Sequence, residues 1–286
     1  MSVKSFFRRK FKKKKITNYI SKNSDLGFLK KELSKSPVFG IDTEFDWKTT
    51  YYPKLSIVQI STIKNIFVLD FLKFNKIDFF KKIIEDKNYL KVFHSVRSDA
   101  IVLSKSIDCN VKNVFDIQIA EKILSEKEIM SYGKIVNKYF GIQLDKKETN
   151  SNWLSRPLTQ NQINYAMEDV DYLIEIFEIQ KKILSRKNLL VEAFLQSEKE
   201  AKLGNQPLIT SRLTKNLKKL NKRGKEIFLW REKIAENRNV PPNYLFREKY
   251  ISDLSKIFPN EKLAKKNAMK ILGDSEITKK FLEDFS

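Results

Sequence analysis

Val38-Phe39-Gly40-Ile41-Asp42-Thr43-Glu44-Phe45 is the stretch on which the reading of this 286-residue chain turns. Its β-branched and aromatic content predicts a strand. Side chains alternate across a strand, so Phe39, Ile41, Thr43 and Phe45 share one face. Asp42 and Glu44 project together from the other. Two carboxylates so placed repel and raise one another's pKa unless a cation lies between them. A pair of solvent-facing acids on an edge strand would leave the same pattern, so the pair needs support from elsewhere in the chain.

Working outward, residues 55–61 and 66–69 read as two more strands around a polar turn at 62–65. A helix fits 77–84. Leu90-Lys91-Val92-Phe93 is a fourth strand, followed by a helix over 98–104 and a short strand at Val114-Phe115. Helices dominate from 117 to 190. Three hairpin-like strands followed by alternating helix and strand predict an α/β domain with a mixed sheet. Gly204-Asn205-Gln206-Pro207 marks a linker. Beyond it a helical tail runs over 213–236, stops at Pro241-Pro242, and resumes over 246–257 and 261–272. The expected organisation is a basic N-terminal arm with a short helix (1–36), an α/β domain (37–204) and a small all-α domain (205–286).

Composition narrows the chemistry. Only 7 Gly occur, and neither a G-x-G-x-x-G nor a G-x-x-x-x-G-K-[ST] pattern is present, so dinucleotide and P-loop readings lose their support. A single cysteine, Cys109, excludes an intramolecular disulfide framework and a multi-cysteine zinc site. A single histidine, His94, excludes H-E-x-x-H chemistry. A protein-bound metal would rest on carboxylates, which favours Mg²⁺ or Mn²⁺ over zinc. The formal charge of +21 favours a polyanionic partner, nucleic acid or an anionic membrane surface. Lysine outnumbers arginine 46 to 10, as an AT-rich genome would produce, so the sign of the charge informs more than its size. No apolar run approaches the ~18–20 residues of a membrane span. Residues 1–22 carry 9 Lys/Arg and no acid. That suits an organelle presequence and a nucleic-acid-contacting arm equally.

Two further segments join the acidic pair. Asp99 follows the fourth strand in His94-Ser95-Val96-Arg97-Ser98-Asp99, where an acid is also favoured by a helix dipole. His94, alone at a strand end, reads as a structural hydrogen-bonding group. Asn164-Tyr165-Ala166-Met167-Glu168-Asp169-Val170 reads as a helix whose apolar face is set by Ile163, Ala166, Val170, Leu173, Ile174 and Phe177. At ~100° per residue, Asp169 lies about 90° from the centre of that face and Glu168 about 170° away. Asp169 is the acid placed to reach inward, and Tyr165, at i−4, shares its surface.

The ordered set Asp42-x-Glu44, Asp99 and Tyr165-x-x-x-Asp169 resembles the three motifs of the tyrosine subgroup of the DEDD 3′–5′ exonucleases. Ser56-Ile57-Val58-Gln59-Ile60 and Trp153-Leu154-Ser155-Arg156-Pro157-Leu158, with Gln162, resemble ribonuclease D specifically. The likeness covers 37–179. Leu229-Trp230-Arg231, Asn237-Arg238 and Val240-Pro241-Pro242 resemble the helicase-and-RNase-D C-terminal (HRDC) module, of which this chain has room for one copy.

The resemblance implies a ribonuclease H-like mixed sheet and a 3′–5′ exoribonuclease that releases nucleoside 5′-monophosphates, with tRNA precursors as substrates. It also implies two divalent ions, Mg²⁺ or Mn²⁺. Asp42 would bridge them, Glu44 and Asp169 would complete the first site, Asp99 would hold the second, and Tyr165 would orient the attacking water. The expectation is a cytoplasmic monomer with single-stranded RNA 3′ ends as partner, no membrane and no nucleotide cofactor. A DNA exonuclease on the same scaffold, or a catalytically silent nucleic-acid-binding protein, stays open at this point.

Overall fold

The computed structural model describes residues 15–75, 77–126, 129–145, 147–216, 220–257, 261–273 and 275–285. Most of the lysine run of the expected basic arm lies outside them. The chain forms two units, Met1–Asp46 with Pro53–Asn205, and Trp47–Tyr52 with Gln206–Ser286.

In the first unit the strands are β1 (Ile16–Ile20), β2 (Val38–Asp46), β3 (Lys54–Ser61), β4 (Asn65–Asp70), β5 (Leu90–Phe93) and β6 (Val114–Asp116). They form one sheet in the order β1-β4-β3-β2-β5-β6. β2, β3 and β4 are an antiparallel meander. β5 and β6 extend it in parallel on one side and β1 pairs in parallel with β4 on the other. The mixed α/β sheet expected from the sequence is therefore present. Parallel neighbours require crossover helices. α1 (Asn23–Ser34) lies between β1 and β2, α2 (Asp78–Glu85) between β4 and β5 and α3 (Val96–Ile107) between β5 and β6; after the last strand come α4 (Ile117–Ser125), α5 (Tyr132–Phe140), α6 (Gln160–Asp171), α7 (Leu173–Arg186) and α8 (Leu190–Asn205).

Alternation along the strands divides the core in two. Phe39, Ile41, Val58 and Phe67 pack with Leu29 of α1, Phe80 of α2 and Ala100 of α3 on one face. Ile57 and Val68 pack with Trp153, Leu158 and Ala166 on the other, and Val92 and Phe115 with Leu173 and Phe177. Gly40 lets α7 approach this second face, since a Cβ there would lie 2.8 Å from Leu173 Cβ and 2.6 Å from Ser61 Oγ.

Three expectations need correction. Residues 16–20 are not part of an arm but a strand, with Ile16 N–H donating to the Lys64 carbonyl at 2.9 Å. Ile16-Thr17-Asn18-Tyr19-Ile20 has the β-branched and aromatic residues that favour strands, and the flanking lysines masked them. The preceding Lys15 is buried, its ammonium 3.1 Å from Glu175 and 3.3 Å from Asp171.

Gly204 is not in a linker. It lies in the last turn of α8, where a Cβ would meet Ala100 Cβ and the Arg97 carbonyl at 2.6 Å each, and Asn205 exchanges hydrogen bonds with the Val111 backbone. The break before the tail is only Gln206-Pro207. The long helix expected over 213–236 is two helices, α9 (Leu208–Asn216) and α10 (Lys222–Arg238). Asn221 starts the second by accepting the Gly224 N–H at 2.7 Å, a side-chain cap that periodicity alone overlooks.

The second unit continues through α11 (Pro242–Leu245), α12 (Tyr250–Leu254), α13 (Glu261–Leu272) and α14 (Glu276–Phe285). Ile227, Phe228, Ile251, Leu254 and Phe281 form its core. It is discontinuous in sequence, because it includes Trp47–Tyr52 from the β2–β3 connection. Tyr51 is buried there, its hydroxyl donating to Glu232 at 3.1 Å and its ring lying under the Arg212 guanidinium at 4.6 Å. Asn239, left-handed at the end of α10, accepts the Tyr51 and Tyr52 N–H groups at 3.1 and 3.4 Å.

Two glycines separate close packing from helix propensity. Gly204→Ala should destabilise the protein by about 1–3 kcal/mol, because the backbone of α3 has to move. Gly27→Ala, on α1 with nothing within 4 Å of its Cβ position, should stabilise it by roughly 0.5–1 kcal/mol. Thermal unfolding of the two variants should show melting temperatures shifted in opposite directions.

Candidate active site

The site is assembled where β2 meets α6. Asp42, Glu44 and Asp169, all half-buried, each place a carboxylate oxygen so that the three atoms lie within 4.8 Å of one another. The first two come from the acid-bearing face of β2. The third depends on how α6 is started and aimed. Thr159 and Gln162 form a reciprocal cap, with Gln162 N–H donating to Thr159 Oγ1 at 3.1 Å and Thr159 N–H to Gln162 Oε1 at 3.0 Å. Gln162 also donates to the Asn152 carbonyl at 3.3 Å, so the cap is tied to the preceding loop.

That loop is held in turn by Arg156. Its Nε and Nη2 bind the two oxygens of fully buried Asp70 at 2.7 and 2.6 Å, a bidentate pair of the strong kind. Nη2 also donates to Ser56 Oγ at 3.0 Å, and Tyr19 from β1 donates to Asp70 at 2.6 Å. Ser56 is the extra residue of a bulge, since Glu44 pairs with Ile57 and Phe45 with Leu55. The guanidinium holds the Asp70 carboxyl below its usual range despite burial. Partial desolvation, then the hydrogen bond to that carboxylate and its charge, push the Tyr19 hydroxyl up to about 12.

Asp99 enters from the other side. It is buried on the first turn of α3, and its Oδ1 accepts the Thr43 hydroxyl at 2.6 Å. It is not one of the three acids that converge, but its charge still reaches Asp42 and Glu44. Its helix is fixed by Asp116, which accepts the N–H groups of Ser95 and Val96 at 3.0 and 2.8 Å and also caps α4 through Gln118 N–H at 2.8 Å. The left-handed Ser95 makes this double attachment possible. Sequence reasoning gave no role to Asp116 or Asp70. An acid directly ahead of a helical pattern was the available signal for the first. The second had none, because its partner lies far along the chain.

Tyr165 is half-buried and hydrogen-bonded to Asp169, with Thr149 Oγ1 3.3 Å from its hydroxyl. Glu168, its side chain exposed, supplies only a backbone carbonyl, to Tyr132 at 3.1 Å. His94 Nε2 pairs with the Met130 carbonyl at 3.0 Å, and burial lowers the imidazole's proton affinity.

Electrostatics at the cluster are unfavourable as it stands. Burial, then the charges of Asp99, Asp169 and Glu44, hold the Asp42 carboxyl far above the usual range. Burial and the Asp169 charge lift Glu44 to about 9. Burial lifts Asp169 to about 7 against the hydrogen bond from Tyr165, and Asp99 to about 7 against that from Thr43. An oxygen-only donor set that repels itself in this way fits a hard divalent cation, which the three convergent oxygens would ligate.

Comparison with known proteins agrees. A family model described as 3′-5′ exonuclease matches residues 17–185. The ribonuclease D of Desulfotalea psychrophila is 30% identical over 256 residues, covering 85% of this chain and 67% of its own length. The corresponding share is 60% for that of Sphingobium indicum, so the chain spans about two thirds of the curated relatives' length or slightly less. In structure it resembles Escherichia coli RNase D, with a TM-score of 0.76 at 23% identity over 93% of this chain and 76% of that one. Brucella melitensis NrnC with bound Mg²⁺ has a TM-score of 0.55 at 21% identity over 71% of this chain and 94% of its own. At these identities the structural likenesses speak for the fold. Fold and domain match together define a 3′–5′ exonuclease. Within that class the chain belongs to the ribonuclease D family.

The raised carboxyls carry a sign for stability. Each binds its proton more tightly folded than unfolded, so its contribution is complete below its unfolded pKa. It is lost as pH rises through about 7 for Asp99 and Asp169 and about 9 for Glu44. The metal-free melting temperature should therefore fall between pH 5 and pH 9. Mn²⁺ at pH 8 should restore it, and Glu44→Gln should make the metal-free slope shallower. Differential scanning calorimetry in chelator and in Mn²⁺ checks all three.

Proposed function

We propose that this protein is a divalent-metal-dependent 3′–5′ exoribonuclease that removes nucleoside 5′-monophosphates one at a time from single-stranded RNA ends. The observation that carries the reading is the convergence of Asp42, Glu44 and Asp169 beside Tyr165. Asp42, Glu44 and Asp169 would hold one ion and Asp42 with Asp99 a second. Two such ions supply positive charge to the attacking and leaving oxygens of a phosphodiester and increase the acidity of the attacking water. The magnesium in the Brucella melitensis NrnC structure supports this choice of ion.

The chain's own groups do the rest. Tyr165, whose proton affinity is raised by burial and by the Asp169 charge, keeps its proton at neutral pH. It serves as a hydrogen-bond donor that orients water, not as a base. The Thr43–Asp99 bond fixes the acid on α3, and Asp116 fixes the helix that carries it. Lysine-rich surfaces, those of the second unit among them, would bind phosphates without regard to sequence and with strong salt dependence. On this reading the second unit is an HRDC-like nucleic-acid-binding domain.

The preference for RNA rests on the ribonuclease D relatives, and structured precursors such as tRNA are the proposed physiological substrates. The E. coli RNase D structure, whose protein is described as involved in structured RNA processing, supports that assignment. Action as a cytoplasmic monomer completes the proposal.

Digestion of 3′-labelled single-stranded RNA and DNA tests it. RNA should be shortened to 5′-monophosphates in Mg²⁺ or Mn²⁺ and remain intact in excess EDTA; sustained hydrolysis in EDTA would contradict the reading. Asp42→Asn and Asp169→Ala should each lower single-turnover cleavage by orders of magnitude, while Glu168→Ala leaves it near wild type. Tyr165→Phe should retain metal and lose on the order of 10²-fold, the scale of a mispositioned reactant.

A further inference from the structure

We infer that Gln59 is a positioning residue for Asp42, its side-chain amide donating a hydrogen bond to that carboxylate when the carboxylate ligates a divalent ion. The inference rests on the metal-dependent reading above. Gln59 sits on the central strand β3 and is the direct cross-strand partner of Asp42 on β2 and of Val68 on β4. Directly opposed residues of an antiparallel pair point to the same face with Cβ atoms ~4.5–5.5 Å apart. That face is the acid-bearing one, beneath α6.

Gln59 is 0% exposed, and neither its amide nitrogen nor its amide oxygen has a hydrogen-bond partner among the described residues. A central-strand position flanked by Ile57 and Val68 ordinarily suits a β-branched apolar residue. A carboxamide there desolvates two donors and an acceptor, and no protein group among the described residues offsets that cost. Full burial keeps it from touching an RNA end, so its use has to lie within the protein.

Asp42 is the group in need of such a donor. Its neighbours Glu44 and Asp169 are acceptors only when ionised. A carboxylate that binds metal through one oxygen keeps lone pairs on the other, and groups that hydrogen-bond to ligands in this way orient them and tune affinity. Gln59 also lies in the Ser56-Ile57-Val58-Gln59-Ile60 run, in which Ser56, through its bond from Arg156, has a role at the loop before α6 and Gln59 has had none. A packing role alone makes the opposite forecast, that an apolar side chain of similar shape would serve at least as well.

The test uses the full chain, Gln59→Met, and Asp42→Asn as the binding control. The metal-free melting temperature of Gln59→Met should equal or exceed that of wild type. Its Mn²⁺ affinity by calorimetry should fall about tenfold or more. Its kcat on single-stranded RNA should fall while KM stays unchanged. A folded Gln59→Met that binds Mn²⁺ within twofold of wild type would overturn the inference. As a measurement independent of any variant's folding, the Gln59 side-chain amide resonances of selectively ¹⁵N-labelled wild type should shift during Mg²⁺ titration, and unmoved resonances at saturation would also overturn it. Wild-type protein that binds no Mn²⁺ would instead defeat the metal reading itself, and this inference with it.

Discussion

Mutual repulsion between carboxylates is the constraint around which the catalytic unit is organised. Asp42 and Glu44 cannot avoid each other, because they are two residues apart on one strand. Asp169 could lie elsewhere, yet the structure brings it within 4.8 Å of both. Burial and like charge oppose ionisation here, and the proton affinities of all three are raised, by burial first and then by neighbouring carboxylates. Something has to hold α6 against the repulsion. The Thr159–Gln162 cap, the Arg156–Asp70 pair and the Tyr19 hydroxyl that completes it do so from outside the cluster.

On that basis the framework reads as a set of restraints on a few charged atoms. The bulge at Ser56 falls one position beyond Glu44, and the loop before α6 is bonded to the bulge residue itself. Asp116 joins the starts of α3 and α4, so the helix carrying Asp99 cannot drift. Gly204 allows α8 to lie directly on α3. The polar devices are paired: Arg156 with Asp70 and Ser56, Thr159 with Gln162, and Asp116 with the N–H groups of Ser95, Val96 and Gln118. The charge repulsion is concentrated among the acids, where a cation would relieve it.

Much of this was legible from residues alone, and the limits have physical causes. The alternation in β2 and the ~100° step of α6 separated Asp169 from Glu168, because both signals are local and periodic. β1 was hidden by the lysines around it, although its edge position needs only one well-patterned face. Asp70 and Arg156 were separately visible but 86 residues apart, and no local pattern announces such a pair. Gly204 looked like a linker because glycine at a helix end ordinarily signals a stop, whereas here it marks close packing between two helices. The allotment of Trp47–Tyr52 to the helical unit was equally out of reach, since it depends on Tyr51 meeting Glu232 and on Asn239 receiving the backbone.

The donor set of Asp42, Glu44 and Asp169 calls for a divalent ion among these particular oxygens. Anomalous diffraction from crystals of the full chain soaked in Mn²⁺ tests that most directly, because it locates the ion without reference to activity. The account predicts an anomalous peak bounded by carboxylate oxygens of Asp42, Glu44 and Asp169, absent from crystals of Asp42→Asn. A map with no peak at that position, or with manganese bound only at other carboxylates, would contradict it.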